Sequence, residues 1–339
     1  MIKLSPILNE VVENKAVKLL NDFAKEYKAS SYYAYVYKNG NKLFEYSKNA
    51  EKNSVFGIGS VSKGMDKIAI MKLIEMGKLK LDDKIMQFGL AIPKDGINLV
   101  NYYDWEGWET ITIKDLMLHK SGIADLINDI PDFNFHYGEF GKIKDPDHLL
   151  VMRAIAKYPL KFKPGTQENY SNTNFYLICK IIEFVMKKPY GDCMKELIFD
   201  PLEMKNTTWA YKSTKPKGLV KGYVLDKETN KLLQPFKIKP FDAYAIFYSS
   251  PEDMLKLGEA YINDKIISDK TRKMFFYDPE NSPGQNGSIH DGYTCRWDAY
   301  ADDGNKVVFI VVINVFGQTV SDPFIETADS IRDLFVKIK

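Results

Sequence analysis

The spacing of apolar residues along the chain predicts long helices. In Leu8–Tyr27 and Phe324–Ile338, apolar side chains recur at helical spacing beside charged ones, so each segment is predicted to be an amphipathic helix. Met65–Met76 is apolar on nearly every side, which predicts a buried helix, and Gly77 is placed to end it. Asn174–Lys187 is a further strongly apolar segment of helical length.

Predicted strands lie towards both ends of the chain. Two dipeptides, Asn39-Gly40 and Asp303-Gly304, favour two-residue hairpin turns. The segments that flank them are rich in aromatic or β-branched residues and are predicted strands: Ser31–Tyr37, Lys42–Tyr46, Thr294–Ala301 and Lys306–Val315. Two more strand-like runs lie within Lys217–Gln234.

The order of these elements predicts the fold class. It is typical of an α/β protein in which an antiparallel sheet is flanked by the N- and C-terminal helices and an all-helical segment is inserted. Residues 1–60 together with 209–339 are assigned to the α/β subdomain, and residues 61–208 to the inserted helical subdomain. No internal repeat or low-complexity linker separates them.

The composition argues against several classes of function. The 339 residues include 47 basic and 45 acidic ones that are interspersed, so no basic patch of the kind that binds nucleic acid is found. No apolar run reaches the roughly 18 residues of a membrane span. Residues 1–27 mix charged with apolar residues and lack the apolar core of a signal peptide. We therefore expect a cytoplasmic protein with no membrane span and no nucleic-acid partner.

Metal and cofactor chemistry is not indicated either. The three cysteines, at 179, 193 and 295, share no metal-binding spacing, and their number favours buried thiols in a reducing compartment over disulfides. The four histidines include no His-Glu-x-x-His pair, and no glycine-rich phosphate loop occurs. His119, in His-Lys-Ser-Gly, is expected to be structural. We expect no metal and no cofactor.

The first candidate for chemistry is the segment Phe56–Met65, in which Ser60 and Lys63 stand three positions apart at the start of the predicted buried helix. Residues at this spacing share one face of a helix, so the amine of Lys63 is predicted to lie beside the hydroxyl of Ser60. A serine needs a nearby proton acceptor to become a nucleophile, and a partly buried lysine can serve. The alternative is a serine that caps the helix, followed by a surface lysine.

The second candidate is Tyr170-Ser171-Asn172, in a loop before a predicted helix. A phenol is a weak base, but a neighbouring ammonium such as that of Lys63 favours its charged form. Asn172 offers both a donor and an acceptor, which suits it to orient an amide or Lys63. The alternative is an ordinary turn in which Asn172 is the N-cap of the helix.

The third candidate is His290-Asp291-Gly292, just before the last predicted hairpin. The imidazole of His290 can donate a hydrogen bond to a substrate or to Tyr170, and Gly292 permits close approach to the strand backbone. The backbone N–H of Tyr293, paired with that of Ser60, is predicted to form an oxyanion hole. The alternative is a hydrogen-bonded histidine at a strand end.

In order and surroundings, the three motifs resemble those of class C β-lactamase-like serine hydrolases, a group that includes penicillin-binding proteins, esterases and D-amino-acid peptidases. The resemblance covers roughly residues 30 to 335. It is highly specific from residue 55 to residue 210, where four segments look like family segments: Ile58–Lys63, Gly77–Asp83, Ile111–Gly122 and Ile198–Thr207.

The resemblance implies a β-lactamase/transpeptidase-like fold with an active site between the two subdomains. It implies a covalent acyl-enzyme on Ser60, proton transfer by Lys63 and Tyr170, and an acyl side chain oriented by Asn172. His290 would take the slot of the lysine in the family's Lys-Thr-Gly, which fixes a substrate carboxylate. Histidine is mostly neutral at pH 7, so the expected substrate is an ester, a D-amino-acid amide or a short peptide, and only weakly a β-lactam.

One departure from the family pattern leaves an alternative open. After Gly292 the family carries a glycine-rich stretch, whereas this chain has the bulky run Tyr293–Trp297, which is expected to narrow the cleft at the oxyanion strand. The alternative is a penicillin-binding or ligand-sensing protein that kept the fold but not turnover.

Overall fold

The computed structural model describes residues 6–90, 106–130, 148–211, 215–235, 244–276, 282–302 and 304–336. The chain forms two compact units. Unit 1 comprises Met1–Met65, Ile198–Ile238 and Ile246–Lys339, and unit 2 comprises Asp66–Leu197 and Lys239–Ala245.

Unit 1 is built on an antiparallel five-stranded sheet. The order of its strands is β2-β1-β10-β9-β8. Their bounds are Tyr32–Lys38 for β1, Asn41–Lys48 for β2, Gln285–Ile289 for β8, Tyr293–Asp302 for β9 and Asn305–Ile313 for β10. The first and the last strands of the sequence neighbour one another, because β1 pairs with β10 from Tyr32↔Ile313 to Lys38↔Val307. The sheet thus joins the two ends of the chain, as the element order predicted.

In the described part of unit 1, two shorter sheets and four helices accompany the large sheet. Short strands β3 (Phe56–Gly57), β7 (Phe247–Ser249) and β4 (Thr208–Trp209) form one small sheet, and β11 (Val315–Phe316), β5 (Tyr223–Leu225) and β6 (Leu232–Leu233) form the other. The helices are α1 (Pro6–Glu26), α7 (Pro251–Ile262), α8 (Asp269–Phe275) and α9 (Ser321–Val336).

Helices α1 and α9 cover one face of the large sheet. Their apolar stripes, including Leu20, Phe23 and Phe324, pack in one cluster with alternate residues of β10 such as Phe309 and Val311. Alternate residues point to opposite faces of a strand, so Val308 lies on the other face, where its side chain contacts Gly258 of α7. The sheet is therefore buried on both faces, and the predicted α/β class with an antiparallel sheet is confirmed.

Unit 2 is helical in its described part. Helix α2 (Ser62–Glu75) starts in unit 1 and continues into unit 2. It is followed by α3 (Ile113–Met117), α4 (His148–Ile155), α5 (Asn172–Met186) and α6 (Tyr190–Met194). As predicted, α2 is buried on nearly every side: Met65, Ile68 and Leu73 are fully inaccessible to solvent. Helix α5 packs against both α3 and α6.

Gly77 ends helix α2, as the sequence predicted. Its φ of +70° is a left-handed conformation, and its N–H donates to the carbonyl of Ile74 while the N–H of Lys78 donates to that of Leu73. This is the Schellman pattern, in which two otherwise unpaired carbonyls of the last turn are satisfied. Glycine is favoured here because a Cβ raises the energy of this conformation.

We expect Gly77→Ala to lower the free energy of unfolding by about 1 kcal/mol, the cost of a left-handed conformation for an L-residue. A Cβ at Gly77 would meet no atom within 4 Å, so the loss would come from the backbone alone. Chemical denaturation would measure it. Met76→Ala, at a neighbouring exposed position, is the control and should stay within about 0.5 kcal/mol of the wild type. Equal stability of Gly77→Ala and the wild type would contradict this account.

Candidate active site

Ser60 lies in a tight turn between strand β3 and helix α2. Residues Gly59–Val61 form one turn of 3₁₀ helix, closed by the N–H of Val61 on the carbonyl of Ile58 at 3.1 Å. The side-chain nitrogen Nζ of Lys63 lies 3.0 Å from the hydroxyl oxygen of Ser60. Lys63 is only 3% exposed, whereas Ser60 is partly accessible. The predicted contact between Ser60 and Lys63 is therefore present, and Lys63 is not the surface lysine of the alternative reading.

Strand β8 and the residues before it pack closely against this turn, and glycine makes the packing possible. A Cβ at Gly287 would lie 2.1 Å from the carbonyl oxygen of Ile58, and a Cβ at Gly64 would lie 2.1 Å from that of Pro283. Real Cβ atoms do not approach backbone so closely, so any larger residue at either position would push the strand away from the Ser60 turn.

The backbone of Ser288 faces the Ser60 turn. A Cβ at Gly59 would lie 2.6 Å from the carbonyl oxygen of Ser288 and 2.8 Å from its nitrogen. Strand β8 is the last strand in the order of its sheet, and such an edge presents N–H and C=O groups that the sheet itself does not use. The side chain of Ser288 points elsewhere, since its hydroxyl lies 3.2 Å from that of Ser321.

His290 does not lie beside the Ser60 turn, which corrects the assignment made from the sequence. His290, Asp291 and Gly292 form the turn between β8 and β9, closed by the N–H of Gly292 on the carbonyl of Ile289 at 2.9 Å. The imidazole of His290 is exposed and packs on the ring of Phe316 at a centroid distance of 4.7 Å.

Gly292 and Tyr293 are likewise placed differently from the prediction. Gly292 has φ +98°, and a Cβ there would lie 2.2 Å from the nitrogen of Tyr223, so this glycine serves a close approach to β5 rather than to the Ser60 turn. Tyr293 begins β9, where it pairs with Ile289. The backbone next to Gly59 belongs instead to Ser288, five residues earlier.

The bulky residues after Gly292 are core residues. The ring of Tyr293 packs edge-on against Phe56 at 6.1 Å and is 1% exposed. The indole N–H of Trp297 donates to the carbonyl of Met254 at 3.1 Å, and Trp297 is fully buried. The prediction that this run narrows a cleft is therefore wrong, because its large side chains fill the interior of unit 1.

The sequence analysis missed the segment Gln285-Asn286-Gly287-Ser288. It has the same polar-polar-glycine pattern as His290-Asp291-Gly292 and precedes it by five residues. The later triplet was chosen from the sequence because it contains a histidine. The signal that could have identified the earlier segment is Gly287, because glycine is otherwise unfavourable in the middle of a strand.

Tyr170 belongs to unit 2, and its ring is stacked on that of His119. The two ring centroids are 4.5 Å apart at an angle of 30°, and Tyr170 is 44% exposed. The ring nitrogen Nδ1 of His119 accepts the N–H of Ser171 at 3.1 Å, so this buried imidazole fixes both the ring of Tyr170 and the backbone that follows. This is a structural role of the kind expected for His119.

Asn172 is the first residue of helix α5, and the N-cap position is taken by Ser171. The reading of Asn172 as an N-cap is therefore wrong. Its side chain faces two polar groups: the hydroxyl of Tyr170 donates to Oδ1 over a long 3.4 Å, and Nδ2 donates to a carboxylate oxygen of Asp125 at 3.1 Å. Tyr170 and Asn172 are thus in contact, which the sequence analysis did not predict.

The described residues hold no cluster of histidine, cysteine and acidic side chains that could bind a metal ion. Cys179, Cys193 and Cys295 are buried free thiols, and burial raises the pKa of Cys193 to about 12. Within the same part of the chain, no helix has the length and apolar character needed to cross a membrane. The cytoplasmic location stays a prediction.

Comparison with known families identifies the relationship. The profile of the family described as Beta-lactamase matches residues 16–321, which confirms the resemblance found in the sequence motifs. Protein flp of Staphylococcus aureus is 32% identical over 55% of this chain and 34% of its own length. The putative penicillin-binding protein PbpX of Bacillus subtilis is 27% identical over 78% of this chain and 60% of its own length.

The relatives differ in name and in length. A teichoic acid D-alanine hydrolase of Staphylococcus aureus is 26% identical over 68% of this chain and 52% of its own length. The chain thus spans between about a third and three fifths of the curated relatives it matches.

The fold is shared with solved structures. A D-stereospecific amidohydrolase from Streptomyces sp. has a TM-score of 0.73 at 18% identity, covering 96% of this chain and 99% of its own. An octameric penicillin-binding protein homologue from Pyrococcus abyssi has a TM-score of 0.72 at 23% identity, covering 96% and 77%. The predicted β-lactamase/transpeptidase-like fold is therefore confirmed.

We expect Gly287→Ala to slow hydrolysis of a chromogenic ester by about a hundredfold, because a displacement of about 1 Å near the reacting atoms can cost that much. The control is Gly304→Ala, since Gly304 has a positive φ of +88° and no neighbour within 4 Å of its Cβ position, so the substitution strains the backbone without a steric contact. It should lose stability and keep its rate. Equal rates for the two variants would contradict the proposed role of the packing.

Proposed function

We propose that this chain, which belongs to the beta-lactamase family, hydrolyses an ester, a D-amino-acid amide or a short peptide through a covalent acyl-enzyme on Ser60. The observation that carries the proposal is the hydrogen bond between Lys63 and Ser60 at the start of a buried helix. Family membership supports a hydrolase, and the roles of individual residues and the substrate are the proposal.

In the first step, the hydroxyl oxygen of Ser60 attacks the substrate carbonyl carbon and forms a C–O bond. The proton of Ser60 passes to Lys63, which lies within hydrogen-bond distance, and then through Tyr170 to the leaving amine or alcohol. The bond from the carbonyl carbon to the leaving nitrogen or oxygen then breaks, and the acyl group stays on Ser60 as an ester. In the second step a water oxygen forms a bond to the acyl carbon, the bond from that carbon to the Ser60 oxygen breaks, the acid product leaves, and a proton from the water returns to Ser60.

The oxyanion of the tetrahedral intermediate would be stabilised by two backbone N–H groups, those of Ser60 and Ser288. Backbone donors that are already fixed in place cost no reorganisation during the reaction, which is why such pairs are effective. The support for Ser288 is that its backbone nitrogen and oxygen lie nearest to Gly59, immediately before the nucleophile. This assignment replaces Tyr293.

The family resemblance assigns Tyr170 and Asn172 to the same reaction, and the proposal adopts both roles. The ring of Tyr170 is held by the stacked ring of His119, and the residue remains 44% exposed. Asn172 would orient the acyl side chain of the substrate through its amide, as the family resemblance implies. A fixed phenol and a fixed amide are preorganised for this work.

The substrate class is inferred from the neutral strand and from the relatives. Gln285 and Asn286, at the start of β8, carry no charge, whereas a β-lactamase of this family would use a lysine to hold a carboxylate. Solved structures of this fold include D-amino acid amidases, and a curated relative is a teichoic acid D-alanine hydrolase. We therefore expect D-aminoacyl esters and amides to be better substrates than β-lactams. The alternative of a protein that binds a ligand without turnover was based on the bulky residues after Gly292. It loses that support because Tyr293 and Trp297 are buried in the core.

We expect wild-type protein to hydrolyse D-alanyl or D-phenylalanyl amides and esters faster than their L-enantiomers, and Ser60→Ala to lose about 10⁴-fold or more in kcat. A panel of D- and L-amino-acid amides, simple esters and a chromogenic β-lactam would measure this. The matched control is Ser47→Ala, at an exposed serine of β2, which should keep the wild-type rate.

Retained turnover in Ser60→Ala would exclude Ser60 as the nucleophile. Stable acylation of Ser60 with no product release over hours would exclude the hydrolase and favour the non-turnover protein.

A further inference from the structure

Asp125 is a buried carboxylate that contacts Asn172. It is 1% exposed and accepts hydrogen bonds from the N–H of Ile127 at 2.9 Å, from Nδ2 of Asn128 at 2.8 Å and from Nδ2 of Asn172 at 3.1 Å. Hydrogen bonds to an ionised acceptor are stronger than those between neutral groups. The amide of Asn172 is therefore attached to a fixed anchor.

The anchor determines which end of the amide faces Tyr170. A carboxylate only accepts, so the group of Asn172 that faces Asp125 must be its NH₂, and its carbonyl oxygen must point the other way. In that orientation Oδ1 lies 3.4 Å from the hydroxyl of Tyr170, which donates to it. Without a charged partner, an asparagine side chain can rotate by half a turn and present its NH₂ instead.

The segment that carries Asp125 is itself tied to the first turn of helix α5. The N–H of Leu126 donates to the hydroxyl of Thr173 at 2.9 Å, and that hydroxyl donates to the carbonyl of Ala124 at 2.8 Å. The backbone N–H of Asp125 donates to the carboxylate of Asp129 at 2.7 Å, and Asp129 forms an ion pair with Lys161. Asp125 therefore has little freedom to follow Asn172 if the amide rotates.

We propose that Asp125 is a positioning residue that holds the amide of Asn172 with its carbonyl oxygen towards Tyr170, so that the active site presents an acceptor there. This inference rests on the proposed function, in which Tyr170 transfers a proton and Asn172 orients the acyl group. An acceptor at Asn172 selects substrate groups that donate, such as an amide N–H or an ammonium.

The first test is Asp125→Asn, a substitution of nearly the same shape that removes the charge. An asparagine can donate as well as accept, so the orientation of Asn172 would no longer be fixed. We expect kcat on the best substrate of the panel to fall by about tenfold, the size typical for uncoupling two members of one hydrogen-bond network. Unchanged kcat in a folded Asp125→Asn protein would overturn the proposal.

A double-mutant cycle separates positioning from general loosening. If Asp125 acts through Asn172, Asp125→Asn should cause no further loss in an Asn172→Ala background. The structural control is Gly77→Ala, at a glycine with no neighbour within 4 Å of its Cβ position and outside both segments. It should lower the melting temperature and leave kcat near the wild-type value. Losses that multiply in the double variant, or an equal loss of kcat in Gly77→Ala, would overturn the proposal.

A charge swap keeps the test decisive if Asp125→Asn folds poorly. Asn172→Asp alone would set two carboxylates against each other, whereas Asn172→Asp with Asp125→Asn would restore a donor–acceptor pair and still present an acceptor to Tyr170. We expect the double variant to recover at least tenfold in kcat over Asn172→Asp. No recovery would count against the proposal. Ser60→Ala distinguishes failure of the proposed function from failure of the role of Asp125. If Ser60→Ala abolishes turnover and Asp125→Asn leaves kcat unchanged, only the role of Asp125 is excluded.

Discussion

The close packing of strand β8 and the residues before it on the turn that carries Ser60 is the constraint on which the surroundings of the proposed nucleophile depend. Two glycines make it possible, because Gly64 and Gly287 each stand where a Cβ would meet a carbonyl oxygen at 2.1 Å. The backbone of Ser288 lies beside Gly59, and the hydroxyl of Ser60 lies against the side-chain nitrogen of Lys63. The backbone on both sides of the proposed oxyanion site is thereby held by main-chain contacts.

In unit 2, side chains rather than backbone contacts hold the residues proposed to act on the substrate. The imidazole of His119 accepts the N–H of Ser171 and stacks on Tyr170, while the carboxylate of Asp125 binds the amide of Asn172. Both anchors are buried, whereas Tyr170 and Asn172 remain at least partly accessible. Each anchor is therefore shielded from water. A hydrogen bond contributes more in such a buried environment than at the surface. The reactive groups proposed here are positioned before any substrate arrives.

Local patterns in the sequence predicted the regular elements well, and a long-range contact explains where they failed. The buried helix α2, its end at Gly77 and the hairpin at Asn39-Gly40 follow from periodicity and turn chemistry, and the structure has all three. The third motif was assigned to His290-Asp291-Gly292, whereas the glycine that packs on the Ser60 turn is Gly287, five residues before Gly292. What decides the position is the packing of Gly287 on Ile58, more than 200 residues away in the sequence, and no local pattern encodes it. The partnership of Asp125 with Asn172 is equally non-local.

The central claim, that Ser60 is a nucleophile activated by Lys63, can be tested directly by mass spectrometry of the protein after treatment with a fluorophosphonate. The account predicts a single adduct, located on the peptide that contains Ser60, in the wild type and in Ser47→Ala. It also predicts no adduct in Ser60→Ala and a much slower reaction in Lys63→Ala. An adduct that persists in Ser60→Ala, or that maps to another residue of the wild type, would contradict it.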